Sequence, residues 1–113
     1  MTKQPSAPPH LSLAARALYR ETLAEYVLEP HQVAILVKSL EALDRCEAAR
    51  LLVEAEGLVI ETRLGERKPH PAASIERDSR AAFLAGMKQL GLDYEPVSNS
   101  ARTAAARGAR WTT

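Results

Sequence analysis

The chain has 113 residues, enough for one small domain with tails; 46% are hydrophobic but only 4% aromatic, so its core must be built from Leu, Val, Ile and Ala. A formal net charge of +1 leaves no overall nucleic-acid signature, and a single cysteine excludes an internal disulfide, which suits a reducing compartment. The N-terminus MTKQPSAPPH has no apolar signal core, and no apolar run approaches the ~18 residues of a membrane span, so a soluble intracellular protein with no membrane partner is expected.

Residues 1–12 open with three of the seven prolines and read as a disordered arm. A first helix is expected from about Leu13 to Tyr26 with Ser12 as N-cap, presenting Ala15, Leu18, Tyr19, Thr22, Leu23 and Tyr26 on one face. A short link at Val27 to Glu29 then fits an antiparallel helical hairpin. The stretch from Pro30 to Gly57 holds no Pro or Gly between its ends and is rich in Ala, Leu, Glu, Lys and Arg. Proline suits the first helical turn and glycine the residue past the last, so one long helix, roughly 40 Å, is expected.

This helix carries two apolar stripes. Val33, Leu36, Val37, Leu40, Leu43, Ala48 and Leu51 make the broader one. Ile35, Ala42, Cys46, Ala49 and Val53 make a narrow, Ala-rich one on the other side. Two stripes want two partners. The narrow stripe suits close contact with another subunit, unless both are covered within the chain.

After Gly57 the segment Leu58 to Thr62 is β-branched and short, the pattern of a strand. Arg63-Leu64-Gly65 fits a three-residue turn with Gly65 left-handed, and Glu66 to Lys68 the return strand of a hairpin at about 58–68. That register sets Glu61 opposite Arg67. Such a hairpin is marginal alone and should rest on a helix or on a neighbouring subunit. Pro69-His70-Pro71 should break the return strand and start a third helix with Ala72, Ile75, Ser79, Phe83, Gly86, Met87 and Leu90 on one face. Gly91 and Leu92 fit a Schellman ending, with Leu92 against Met87. The fold expected over 13–92 is mainly α, a helical hairpin with a small β-hairpin and a third helix. Residues 93–113 form a basic tail: up to Glu95 there are 12 basic and 14 acidic residues, a charge of −2, whereas the remainder carries +3.

No catalytic constellation stands out. His10, His31 and His70 are far apart and have no partner at metal-ligand spacing; Cys46 lies mid-helix without a second cysteine, and no phosphate-binding glycine loop is present. His70 reads as a cap or packing group at a helix start, and Cys46 as a small packing residue. A non-enzyme without metal or cofactor is expected. The candidate contacts to a partner are the basic side chains. Arg102, Arg107 and Arg110 of the tail have no acids around them, and Trp111 adds an apolar anchor. In the body, Arg63, Arg67 and Lys68 on the hairpin and Arg77 and Arg80 on the third helix could form a patch, although Glu61, Glu66, Glu76 and Asp78 are interleaved and mixed surface pairs are the plainer reading.

The order of these elements resembles the small subunit of phage DNA-packaging terminases. The resemblance is carried by LYRETLAEY, LVKSLEALDRCEAAR, the segment EGLVIETRLGERKPHPA, and IERDSRAAFLAGMKQLGL, covering about residues 13 to 92. It implies a non-catalytic packaging factor in the cytoplasm of the infected host bacterium, one that forms a ring-like homo-oligomer, engages viral double-stranded DNA, and recruits or regulates the large ATPase/nuclease subunit. The other reading of the elements, a small helix-turn-helix regulator, sits poorly with a first link that lacks glycine and a second helix too long for a recognition helix.

Overall fold

The computed structural model describes residues 5–92. Three helices and a two-stranded antiparallel sheet follow in chain order: α1 (Leu13–Glu25), α2 (Pro30–Glu56), β1 (Val59–Glu61), β2 (Arg67–Pro69) and α3 (Pro71–Gln89). The protein is thus mainly α with one small β-hairpin, as its sequence leads one to expect.

Local chemistry sets each boundary. The Ala15 N–H donates to Ser12 Oγ (3.1 Å), closing the first turn of α1. The Ser12 hydroxyl and N–H in turn donate to Asp44 of α2 at 2.6 and 2.8 Å, so one residue caps α1 and fastens it to its neighbour. α2 begins at Pro30, and the Glu29 N–H is taken by Gln32 Oε1 at 2.8 Å. It ends at Gly57, with φ +91°. α3 closes in a full Schellman motif around Gly91 (φ +76°): the Leu92 N–H donates to Met87 O (2.8 Å) and the Gly91 N–H to Lys88 O (2.9 Å).

The core gathers where all three helices meet, over the N-terminal half of α2. Leu11, Ala15, Tyr19, Leu23, Leu36 and Leu40 are buried there, with Phe83 and Met87 of α3 and its C-cap Leu90 packed against them. Leu36 and Leu40 are fully buried, each contributing about 1.5–3 kcal/mol of transfer free energy. Leu11 belongs to this core: it is 3% exposed, and nearby the Tyr19 hydroxyl donates to Pro5 O at 3.0 Å. A Pro-rich stretch loses little conformational entropy on ordering, so one buried leucine and a few hydrogen bonds hold it.

α3 runs antiparallel along α2. His70 meets Glu56 at one end and Gly86 meets Ser39 at the other. On α2 the buried or half-buried residues Ser39, Ala42, Cys46, Ala49 and Val53 recur at spacings of three and four. On α3 the matching series is Ala72, Glu76, Ser79, Phe83 and Gly86. Both are heptad seams made mostly of small residues, which lets the two backbones approach closely. Ile75, expected on this face, is 45% exposed.

Candidate nucleic-acid and assembly surfaces

The hairpin follows the expected register: Glu61 faces Arg67, Ile60 faces Lys68 and Val59 faces Pro69. Its turn is Arg63-Leu64-Gly65, with Gly65 at φ +84° and the Gly65 N–H donating to Thr62 O at 2.9 Å. The Thr62 side chain adds a second tie, accepting from the N–H groups of Leu64 (3.3 Å) and Glu66 (3.2 Å). Pro69 does not break the return strand. It closes β2, and the ladder runs one pair further, with the His70 N–H donating to Leu58 O at 2.7 Å. The break comes at Pro71, which opens α3.

His70 joins the hairpin to both long helices. Its Nδ1 accepts the Ala72 N–H at 2.9 Å, making it the N-cap of α3. That acceptor role leaves the ring proton on Nε2, which points at Glu56 Oε1, 2.6 Å away. Its place at a helix start, read from the flanking prolines, is therefore a capping role.

The five basic residues singled out in the body separate into two groups. On α3, Arg80 pairs with Glu76 (2.8 Å) and Arg77 with Asp78 (3.4 Å). The Arg80 guanidinium holds the Glu76 carboxyl below the usual range. These are the mixed surface pairs that the interleaved acids suggest. On the hairpin, Arg63, Arg67 and Lys68 are exposed, and none has an acid within ion-pair distance among the described residues. Leu64, 87% exposed, stands between them at the tip. Arg102, Arg107, Arg110 and Trp111 lie outside the described residues.

Of the stripe Ile35, Ala42, Cys46, Ala49 and Val53, expected to meet another subunit, Ala42 and Ala49 are buried within the chain and Ile35, Cys46 and Val53 are half-buried. Ala42 and Ala49 are 6% and 4% exposed, Ser39 abuts Gly86, and the Cys46 thiol donates to Glu76 Oε2 at 3.6 Å. α3 occupies that face because its own small residues, Ala72, Ser79 and Gly86, match it in period. Burial and the Glu76 carboxylate push the Cys46 thiol up. An uncovered apolar surface lies at the far end of the broader stripe. α1 reaches only as far as Asp44, so Ala48, Leu51, Leu52 and Ala55 stay exposed, with Leu58 and Val59 following directly. Leu51 and Leu52 are 51% and 48% exposed, and Leu58 is 67% exposed.

Among the described residues no group of His, Cys, Asp and Glu is placed to hold a metal ion, and no helix is long and apolar enough to cross a membrane. No curated protein and no solved structure matches the chain. The family described as "Phage terminase, small subunit" matches residues 15–107, taking in α1 from Ala15 on, α2, the hairpin and α3 together with Arg102 and Arg107, and stopping short of Arg110 and Trp111. With most of its length inside that match, including the capped helices and the hairpin described above, the chain belongs to the phage terminase small subunit family.

Proposed function

We propose that the protein is the non-catalytic small subunit of a viral DNA-packaging motor, that it assembles with itself into a ring, grips double-stranded DNA, and delivers it to the large ATPase/nuclease subunit. Membership of the family supports the packaging role. The observation that carries DNA engagement is the cationic hairpin. Arg63, Arg67 and Lys68 are exposed and unpaired on a ribbon that scarcely touches the helices. A two-stranded ribbon is narrow enough for the major groove, and free cations neutralise phosphates without first breaking an ion pair. Arg77 and Arg80 rank below them because each already has a carboxylate partner. The tail, with Arg102, Arg107, Arg110 and Trp111, is a second contact, to DNA or to the large subunit. Subunit contact falls on the open end of the broader α2 stripe, since the narrow stripe's Ala42 and Ala49 are buried within the chain.

The test is DNA binding as a function of salt for Arg63→Ala/Arg67→Ala/Lys68→Ala against wild type. At about 0.9 per neutralised phosphate, losing three contacts lowers the slope of log K on log salt by up to ~3. An unchanged slope and affinity would remove the hairpin from the interface.

A further inference from the structure

Arg16 and Arg20 lie one helical turn apart on α1, and neither has an acid within ion-pair distance among the described residues. Both line a cleft of about 530 Å³ between α1 and the stretch from Pro5 to Ala7, which the Tyr19 hydroxyl ties down through Pro5 O at 3.0 Å. No acidic side chain lines this cleft. Arg16 is half-buried, and its Nε–H is shut off from solvent with no hydrogen-bond partner among the described residues. A guanidinium that loses water on one edge without gaining an acceptor costs free energy, and a like charge one turn away adds to that cost. A second cleft, about 340 Å³ and lined by Glu41 and Asp44, has its acids already matched: Glu41 meets His10 and Lys38, and Asp44 accepts from Ser12.

We infer that the cleft between α1 and the N-terminal stretch binds a small phosphate monoester, its phosphate held by the Arg16 and Arg20 guanidinium groups. Charge selects this class. Two cations with no acid beside them match a group carrying about −1.5 to −2, whereas a carboxylate leaves one cation uncompensated. Guanidinium forks also suit phosphate oxygens, and because their charge is delocalised, an oxyanion at any N–H relieves the poorly solvated edge of Arg16. The walls suit the rest of such a ligand. Ser6 offers a hydroxyl, while Pro5, Tyr19 and Leu23 offer apolar surface for an organic group. The volume lies in the range of small-molecule sites.

A duplex backbone suits this place less well. Its phosphates carry one charge each and sit on a convex surface, whereas Arg16 is half-buried in a cleft walled by its own chain. The free cations of the hairpin are different in kind: Arg63, Arg67 and Lys68 are exposed on a ribbon at the other end of α2. The inference does not depend on the packaging role.

The experiment is calorimetric titration of the full chain at constant ionic strength, with inorganic phosphate, phenyl phosphate and benzoate as probes. Both phosphates should bind saturably at one site, phenyl phosphate more tightly because its ring meets the apolar wall. Benzoate, with the same ring and a single charge, should bind more weakly than phenyl phosphate. Arg16→Gln should weaken phenyl phosphate about tenfold or more, the loss expected for one charge-assisted contact. Arg20→Gln, at an exposed position where folding is not at stake, should do the same. Arg63→Ala/Arg67→Ala/Lys68→Ala should bind phenyl phosphate as wild type does. Unchanged binding in Arg20→Gln overturns the inference, whatever becomes of Arg16→Gln. So does a response to phosphate that never saturates and is shared by the variants, which is the general stabilising effect of that salt. Benzoate binding as tightly as phenyl phosphate overturns the assignment of a dianion. If an unphosphorylated DNA duplex displaces phenyl phosphate from the wild type, the two arginines belong to a DNA-binding surface: the inference fails and the packaging reading stands. Loss of DNA binding in the hairpin variant is read separately, so failure of one idea does not imitate failure of the other.

Discussion

His70 is 8% exposed and engages three elements with one ring: it ends the hairpin ladder through its N–H, caps α3 through Nδ1 and meets α2 through Glu56. Removing an N-cap costs about 1 kcal/mol, and stranding the Ala72 N–H in a buried setting adds to it. His70→Ala should therefore lose about 1–2 kcal/mol in urea unfolding. His70→Asn, which can still cap, should recover part of that; if both variants match wild type, the cap is irrelevant. Cys46 gives a second residue-scale prediction. Its thiol is raised by burial and then by Glu76, while Arg80 works in the opposite direction. Glu76→Gln removes the negative neighbour and frees the Arg80 charge, so both changes favour the thiolate. The pH midpoint of Cys46 alkylation should move down relative to wild type. A midpoint that stays or rises would mean that Glu76 does not control the thiol.

Among the elements, the α2–α3 seam is the feature most exposed to single changes. Gly86 sits against Ser39 so closely that a Cβ built there would lie 3.0 Å from the Ser39 Cβ and collide with its hydroxyl, which donates to Ile35 O. Gly86→Ala gains up to about 1 kcal/mol of helix propensity yet overpacks the seam by about 1–3 kcal/mol. Net destabilisation is expected, and Ser39→Gly in the same chain should relieve the clash, giving a positive coupling in a double-mutant cycle. Additive effects would show that the helices move apart without cost. The same seam shows what could and could not be read in advance. Helix limits and the turn were legible because their causes are local: Ser12, Pro30, Gly57, Gly65 and Gly91 each act within a few residues. The Ala42–Ala49 stripe was visible as apolar, but periodicity on one helix says nothing about what covers it. The answer lay in the register of Ala72, Ser79 and Gly86, a second helix with the same heptad period and equally small side chains. Leu11 was hidden for a different reason: composition marked its neighbourhood as loose, and burial depends on the surface it meets. On the surface, sequence spacing grouped Arg77 and Arg80 with the hairpin cations, and only side-chain geometry separated the paired from the free.

Taken whole, the protein has a well-packed end, where α1, α2 and α3 converge, and a sparsely packed end, where the last turns of α2 and the hairpin carry exposed leucines and unpaired cations. Stability belongs to the first end. On the proposed function the hairpin and the segment beyond Leu92 meet partners, and on that reading they should be separable from folding. Truncation after Glu95 removes +3 of charge and Trp111, with no described core residue among those lost. Thermal unfolding should stay within about 1–2 °C of wild type, the shift expected for a small fraction of a kcal/mol in a domain of this size. What else changes identifies the tail's role. A salt slope lowered by up to ~3 means its arginines contact phosphate. Unchanged DNA binding with lost recruitment of the large subunit makes it a protein contact. In that case Trp111→Ala alone should reproduce most of the loss, since a few buried aromatic anchors dominate such interfaces. A fall in native mass would instead make the tail part of the subunit contact, and the separation between a folding end and a binding end would no longer hold.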